Sequence, residues 1–291
     1  MQILLVHNTG AGDEAHDPEK TADLIRRHGH TVTLAGEDWK AEVNDAVELV
    51  VAAGGDGTVE NVARYLACGT IPIAVLPLGT ANNVARALGV ADTPIPEIVA
   101  SWAQATRRPI DTGRALGHGV ATRFIESVGV GLLADGITEI AHGRAGYVDR
   151  LNDADDRMDA AIDVLRHTLR RQRPVRLELV LDGRQLSGEY LLVEVMTLGS
   201  AGPNLNLAPD ANPADGLFDV VVADESHRTR LIEELPRYRL GHRPETPLPV
   251  HRARRVELSF GDRSVHVDDS LQNDETQLLL TIEEGAVTFL V

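Results

Sequence analysis

Residues 48–53 (ELVVAA) form an almost unbroken apolar run that ends in Gly54-Gly55. A strand that is apolar on both faces must be covered on both faces, which is typical of a central strand in a parallel sheet. Throughout the first 110 residues, similar runs alternate with helical stretches. We therefore predict an α/β N-terminal domain, with a parallel sheet covered by helices. The predicted strands are residues 3–7, 31–34, 48–53 and 71–76, and the predicted helices are 18–28, 59–67 and a short one that ends at Gly89.

After Asp111 the pattern changes to hairpins. Residues 176–180 and 190–195 alternate between polar and apolar and flank Asp182-Gly183, which favours antiparallel pairing. Apolar residues recur at helical spacing between Met158 and Leu169, which predicts one amphipathic helix before the two strands. Further strands are predicted at 220–223, 255–260, 263–267, 277–282 and 286–290. We expect a second domain built as a β-sandwich or barrel, domain limits of 1–112 and 113–291, and a cleft between the domains.

The formal charge of −16 argues against a nucleic-acid partner, because affinity for phosphate backbones requires clustered cations. Two arginine-rich stretches, residues 166–176 and 237–255, still allow a local basic face. The lysines are Lys20 and Lys40, and neither lies in a glycine-rich loop. A Walker-type phosphate loop, which needs such a lysine, is therefore excluded.

The single cysteine, Cys68, excludes an internal disulfide and fits a reducing cytoplasm. The N-terminus reads directly as a strand and lacks the features of a signal peptide. No apolar run approaches the roughly 18 residues that a membrane span needs. We expect a cytoplasmic protein that could act peripherally at a membrane.

The segment Gly54-Gly55-Asp56-Gly57-Thr58 lies between a predicted buried strand and a predicted helix. Successive glycines allow backbone amides to turn inward around an anion, and the helix N-terminus adds its positive end. The segment therefore predicts a phosphate cradle. A carboxylate inside it would repel phosphate unless a cation stood between them, so Asp56 indicates Mg²⁺ or a bound water. The alternative interpretation is an ordinary tight turn.

A second loop, residues 77–83 (PLGTANN), leaves the next strand and opens the next helix. Ligands of open α/β sheets collect outside the carboxyl ends of the strands, so both loops are expected to face one crevice. Thr80 could then bind a phosphate oxygen, and its alternative role is that of a helix cap.

Two segments in this order, GGDGTVENVARYL (54–66) and PLGTANNVARALG (77–89), resemble the paired nucleotide-binding motifs of the diacylglycerol kinase catalytic family. That family includes bacterial lipid kinases and the sphingosine and ceramide kinases, whereas NAD kinases are similar only in the first motif. The resemblance extends to HNTGAG (7–12), SVGVGLLAD (127–135) and GPNLNLAPDANPADGLFDVVV (202–222). It therefore spans nearly the whole chain.

The resemblance implies a NAD-kinase-like α/β N-terminal domain, a C-terminal β-sandwich, and ATP with Mg²⁺ bound between them. By position, it assigns ATP binding to Asn8, Thr33, Gly54, Gly55, Asp56, Gly57, Thr58 and Thr80. It also implies a structural Mg²⁺ or Ca²⁺ held by the Asp215 carboxylate and by backbone oxygens of Asn212 and Leu217. The alternative is that Asp215-Gly216 only makes a turn before a strand.

Near the C-terminus the family carries Asp-Gly-Glu, whose acids are placed to take a proton from the lipid hydroxyl. The matching residues here are Asp268, Asp269 and Ser270, with serine in the place of the glutamate. A serine cannot act as that base at its free pKa, so either Asp268 or Asp269 serves instead or the enzyme is impaired. The alternative interpretation is a hairpin turn with two solvated acids.

The leading hypothesis is therefore an ATP-dependent lipid kinase that phosphorylates a diacylglycerol-like hydroxyl at a membrane surface. Two alternatives stay open: a NAD-kinase-like phosphotransferase on a soluble substrate, and a non-catalytic nucleotide- or lipid-binding protein. A homodimer is compatible with the sequence, which does not fix the oligomeric state.

Overall fold

The computed structural model describes residues 1–12, 16–141, 151, 153–240, 242, 247–272 and 275–291. The chain forms two compact units: Met1–Ile110 together with Gly285–Val291, and Asp111–Glu284. The last seven residues thus belong to the first unit, whereas the predicted domain limits placed them in the second domain.

The first unit is an open parallel sheet with helices. Its complete strands are β1 (Gln2–His7), β2 (Thr31–Leu34), β3 (Leu49–Gly54) and β4 (Ile73–Pro77), and its helices are α1 (Pro18–Arg27), α2 (Trp39–Glu42), α3 (Asp56–Leu66), α4 (Asn83–Leu88) and α5 (Ile95–Ser101). The strand order is β4-β3-β1-β2, and all three pairings are parallel. β3 is buried along its whole length, as its apolar run predicts. The chain passes from β1 to β2 on one side of β1 and then returns to form β3 on the other side. The strand order therefore reverses between β1 and β3.

The second unit is a β-sandwich with a helical layer. In chain order, its elements are β5 (Arg107–Leu116, which begins in the first unit), β6 (Ala121–Phe124), β7 (Ser127–Gly131), α6 (Leu132–Glu139), α7 (Ala154–Arg171), β8 (Val175–Leu181), β9 (Arg184–Gln185), β10 (Gly188–Tyr190), β11 (Leu192–Met196), β12 (Ser200–Ala201), β13 (Leu205–Asn206), β14 (Phe218–Ala223), a 3₁₀ turn (Glu225–His227), α8 (Arg228–Arg239), β15 (Val250–Ala253), β16 (Arg255–Ser259), β17 (Val265–Val267), β18 (Ser270–Gln272) and β19 (Gln277–Leu290, which ends in the first unit).

One sheet of the sandwich has the order β15-β14-β11-β7-β17-β18. Its inner valines and Phe218 pack against apolar side chains of β8, β16 and β19, and Phe218 stacks on Phe124 with ring centroids 5.6 Å apart. Its other face packs against α6, α7 and α8 through a second apolar cluster. Alternation along the strands therefore gives each face of this sheet its own core.

Most predicted elements occur within two or three residues of their expected limits, and Asp17 and Asp153 accept backbone N–H groups at the starts of α1 and α7. One predicted pairing is wrong in part. β8 does turn through Asp182-Gly183, but it pairs with β9 and β10. The predicted strand 190–195 breaks at Leu191, and β11 pairs instead with β7 and β14. The two predicted strands at 277–282 and 286–290 form one strand, β19.

No helix of the described residues is both long enough and apolar enough to cross a membrane.

Candidate functional site

Three loops leave the carboxyl ends of β1, β3 and β4: residues 8–12 (the first loop), 54–58 (the second loop) and 78–82 (the third loop). The first and second loops flank the point between β1 and β3 at which the strand order reverses. Open α/β sheets bind their ligands at such a point, because the flanking loops diverge there and leave a crevice. The fold thus places the predicted glycine-rich segments where a ligand site is expected.

The second and third loops touch through glycine. A Cβ on Gly79 would overlap the Cα of Gly55, and a Cβ on Gly55 would lie 3.1 Å from the Cα of Gly79. A backbone hydrogen bond from Leu78 to the Gly54 carbonyl, 3.0 Å long, joins the same loops. These glycines are therefore required by the close approach of two backbones.

The glycines of the second loop do not form an alternating left-handed turn. Gly54, Gly55 and Gly57 all lack the left-handed backbone that such a turn needs, and Gly55 is extended with φ −86° and ψ −172°. The second loop instead runs directly into α3, an 11-residue helix whose first turn contains Asp56, Gly57 and Thr58. The positive end of this helix, rather than a ring of glycine amides, is what the loop offers to an anion.

Asp56 joins the second loop to α4. Its Oδ1 atom accepts the Val84 backbone N–H at 3.1 Å, in the first turn of α4. Asn82, which is left-handed with φ 53°, accepts from Gly79 N at 3.0 Å and donates to Gly79 O at 2.8 Å. The third loop is thus fixed by its own asparagine and by a carboxylate from the second loop.

Asn8 joins the first loop to the second. Its Nδ2 donates to Thr58 Oγ1 at 3.3 Å, and its Oδ1 accepts Gly10 N at 3.0 Å. Gly12 adopts φ 75°, and a Cβ there would overlap the Leu78 carbonyl of the third loop. The structure therefore brings Asn8, residues 54–58 and the third loop, which contains Thr80, together at one edge of the sheet.

Thr33 lies elsewhere. It is an exposed residue of β2 and pairs with Leu4 of β1, four residues before Asn8. At about 3.3 Å per residue, that is roughly 13 Å along the strand from the first loop. The register therefore does not bring Thr33 together with the other predicted ATP residues.

The residues at this edge fit a bound phosphate with Mg²⁺. Magnesium usually keeps several waters and takes one or two protein carboxylates together with phosphate oxygens, and Asp56 supplies a carboxylate next to the α3 N-terminus. Within the part of the chain that the structure describes, no group of three or more His, Cys, Asp or Glu side chains is arranged to hold a metal ion. A metal here would therefore depend on the nucleotide for part of its coordination.

The predicted structural metal site has a different partner. Asp215 Oδ1 accepts Leu217 N at 3.1 Å, its Oδ2 is paired with the Arg252 guanidinium, and Asn212 Oδ1 accepts Ala214 N at 3.2 Å. Burial raises the pKa of Asp219 to about 6, with a further contribution from Asp210. The Arg252 guanidinium therefore pairs with the carboxylate that the predicted cation site would use. The metal role of Asn212, Asp215 and Leu217 stays a prediction.

The two candidate bases have opposite environments. Asp268 and Asp269 form the turn between β17 and β18, as a hairpin interpretation expects. Asp269 is exposed, but Asp268 is only 3% exposed. Asp268 Oδ1 accepts the backbone N–H groups of residues 125, 126 and 127 at 3.2, 2.9 and 3.2 Å. Asp268 is thus a buried anchor, and Asp269 is the exposed acid of the turn.

A buried pair next to this turn was not predicted. His266 Nε2 lies 3.0 Å from Glu194 Oε2, and both side chains are almost completely buried. Burial alone lowers the pKa of His266, but the Glu194 carboxylate outweighs it and raises that pKa to about 8. The available sequence signals were a glutamate inside the apolar run LLVEVM (191–196) and the glycine alternation SVGVG (127–131).

Two family models together match most of the chain. The diacylglycerol kinase catalytic domain matches residues 2–115, and the YegS C-terminal NAD kinase beta sandwich-like domain matches residues 143–289. The chain therefore belongs to the diacylglycerol kinase and YegS-like lipid kinase family.

Curated relatives agree with this assignment. The chain is 29% identical over 235 residues to a diacylglycerol kinase of Mycobacterium tuberculosis, covering 78% of this chain and 72% of the relative. It is 28% identical over 214 residues to a diacylglycerol kinase of Bacillus subtilis, covering 70% of this chain and 65%, just under two thirds, of the relative. It is 30% identical over 234 residues to a probable YegS-like lipid kinase of Xanthomonas oryzae, covering 75% of this chain and 72% of the relative.

A putative diacylglycerol kinase from Bacillus anthracis superposes with a TM-score of 0.75 at 20% identity, covering 99% of this chain and 97% of that one. An NAD kinase from Archaeoglobus fulgidus, solved in complex with ATP, superposes with a TM-score of 0.58 at 13% identity, covering 100% and 94%. These likenesses confirm the predicted NAD-kinase-like fold with a C-terminal β-sandwich.

Gly79→Ala should destabilise the first unit, because the added methyl group would overlap the Gly55 backbone, which cannot rotate away. We expect a loss of about 1–3 kcal/mol in the free energy of unfolding, measured by urea denaturation. Gly10→Ala is the matched control, since its Cβ would meet only Asn8 Oδ1 at an ordinary 3.6 Å. Equal stability of the two variants would contradict the close packing of the loops.

The His266–Glu194 pair predicts a pH-dependent stability. A raised folded-state pKa stabilises the protein fully below the unfolded value of 6.5, and this contribution is lost as the pH rises through about 8. We expect the free energy of unfolding to fall by on the order of 2 kcal/mol over this range. Glu194→Gln should remove that part of the pH dependence. Identical pH profiles of stability for the wild type and Glu194→Gln would show that the pair is not charged.

Proposed function

We propose that the chain is an ATP-dependent lipid kinase, which transfers the γ-phosphate of ATP to the hydroxyl of a diacylglycerol-like lipid at a membrane surface. The observation that carries the proposal is the junction of three loops at the strand reversal, with one carboxylate next to a helix N-terminus. Two further facts support it: curated relatives bear the names of diacylglycerol and lipid kinases, and ATP is bound in the NAD kinase structure of similar fold.

Phosphate binding is assigned to the first unit. The first turn of α3 offers backbone N–H groups and the positive end of the helix, and the side chains of Asn8 and Thr58 are already hydrogen-bonded to each other beside it. Thr80 of the third loop would add a hydroxyl. Asp56 would hold Mg²⁺, which, when bound, neutralises charge on the transferring phosphate. Because Oδ1 of Asp56 is fixed by Val84 N–H, the carboxylate is oriented before any ligand arrives.

Proton removal is assigned to the turn after β17. A lipid hydroxyl needs a base within hydrogen-bond reach as its oxygen attacks phosphorus. The backbone amides of residues 125–127 already bind Asp268, whereas Asp269 lies exposed on the same turn. Of the two acids that the sequence left open, we therefore assign the base to Asp269 and an anchoring role to Asp268.

Asp56→Asn tests the nucleotide site. The amide keeps an oxygen that can accept Val84 N–H, so the fold should persist, but the charge that would hold Mg²⁺ is lost. We expect turnover to fall by about a hundredfold or more, since a catalytic metal contributes several kcal/mol. The assay uses radiolabelled ATP, Mg²⁺ and a mixed lipid extract, followed by identification of the labelled lipid. Wild-type turnover in the folded variant would refute the role of Asp56.

Asp269→Asn and Asp268→Asn should separate catalysis from stability. Replacing the exposed acid should lower turnover by about 10² to 10⁴, with little change in the KM for ATP or in the melting temperature. Replacing the buried acid weakens three backbone hydrogen bonds, so it should lower the free energy of unfolding by about 1–3 kcal/mol. If Asp269→Asn retains full lipid phosphorylation, the base lies elsewhere.

A non-catalytic binding protein is the second candidate, and Ser270 favours it. This residue is exposed at the start of β18, where the family carries glutamate. On the kinase proposal, Ser270→Glu should leave lipid phosphorylation similar or raise it. Should the wild type bind ATP without phosphorylating lipid, and Ser270→Glu make it active, the native chain is a binding protein.

A further inference from the structure

One row of the six-stranded sheet in the second unit differs from its neighbours. Across β11, β7 and β17, Glu194, Gly129 and His266 stand side by side in register. The rows on either side consist of valines alone, Val195-Val128-Val267 and Val193-Val130-Val265. Those valines face the sandwich core, so the Glu-Gly-His row faces the opposite, helix-covered side.

The glycine in the middle of this row makes the pair possible. A Cβ at Gly129 would overlap the Glu194 carboxylate. Because Gly129 has no side chain, Glu194 and His266 meet above the central strand β7. His266 Nε2 lies 3.1 and 3.0 Å from the two carboxylate oxygens of Glu194. A sequence that only had to fill this row could use three apolar residues, as the neighbouring rows do. A buried ion pair is weak evidence for stability, because desolvation offsets most of its attraction.

His266 connects this pair to the catalytic turn. Its Nδ1 lies 2.9 Å from the Asp268 carbonyl oxygen, which can only accept a hydrogen bond. With Glu194 ionised, both ring nitrogens face acceptors, so the geometry suits a doubly protonated imidazolium. Among the described residues, other charged groups on adjoining elements include Asp135 and Glu139 of α6, with Asp135 paired to Arg263 at 2.8 Å. Asp219 of β14 is on the same face of the sheet and lies 3.6 Å from the Arg252 guanidinium.

Asp268 is consequently held at three places. Its carboxylate accepts from residues 125–127, its N–H donates to Ser127 O at 2.8 Å, and its carbonyl accepts from His266. It adopts φ 49°, a left-handed backbone that is uncommon for residues other than glycine. Asp269 follows by one peptide bond, so its backbone position is set by this buried network, although its side chain is exposed.

We propose that Glu194 and His266 are positioning residues for phosphotransfer, which hold the β17–β18 turn so that Asp269 meets the lipid hydroxyl. The proposal rests on the lipid kinase function proposed above. Misplacing a catalytic group by 1 Å can lower the reaction rate by about a hundredfold. The buried Glu194–His266 pair would restrict such a displacement of the turn.

The test compares Glu194→Gln and His266→Gln with Val195→Ala in the full chain. Val195 adjoins Glu194 on β11 but faces the sandwich core. Its truncation therefore destabilises the same strand and leaves the Glu194–His266 pair in place. Lipid phosphorylation is measured below the unfolding temperature of every variant, together with hydrogen exchange of the amides of residues 125–127. We expect kcat to fall by about 10- to 100-fold in each polar variant, with the KM for ATP unchanged and with faster exchange of those amides. Val195→Ala should keep its kcat.

The double variant Glu194→Gln/His266→Gln should lose no more than the worse single variant, because the two residues act as one unit. A wild-type kcat in folded Glu194→Gln overturns the proposal, and so does an equal loss of kcat in Val195→Ala, which would show a merely structural role. In both cases an active wild type leaves the lipid kinase function standing. A wild type that phosphorylates no lipid overturns the kinase function and this proposal with it.

Discussion

The proposed nucleotide site depends on the contact between Gly55 and Gly79. Their backbones approach so closely that a side chain on either residue would displace the neighbouring loop. This approach allows Asp56, at the start of α3, to reach the first turn of α4. A single contact between glycines therefore fixes two helix N-termini and one carboxylate relative to each other, before any ligand binds. Preorganisation of this kind is what electrostatic catalysis of phosphoryl transfer requires.

Local patterns were sufficient to predict much of the first unit. The apolar run before Gly54, the helix start at residue 18, the helix end at Gly89 and the order of strands and helices each depend on neighbours in sequence, and each prediction is confirmed. The paired motifs also indicated which loops meet. Glycine was predicted to let backbone amides turn inward around an anion, and the structure adds a second need, the close packing of two loop backbones. A sequence gives the same glycine for both needs, and only the backbone of the neighbouring loop distinguishes them.

The second unit was harder to predict because its decisive contacts join distant residues. Asp268 accepts hydrogen bonds from amides more than 140 positions away, and His266 meets Glu194 at a separation of 72. Neither the burial of Asp268 nor the exposure of Asp269 can be inferred from two adjacent aspartates in a turn. Arg252, which pairs with Asp215, is likewise brought to it by the pairing of β14 with β15. In a β-sandwich, strand pairing decides which charges meet, and periodicity alone does not specify the pairing.

A direct competition between acceptors tests whether the phosphate acceptor is a lipid, as proposed. The wild-type chain is given γ-labelled ATP and Mg²⁺ together with diacylglycerol in mixed micelles and NAD at equal concentration, and the products are partitioned between organic and aqueous phases. We predict that the transferred label appears in the organic phase as a phosphorylated lipid and is absent from NADP. Label in NADP, with none in the lipid, would contradict the account and identify a phosphotransferase that acts on a soluble substrate.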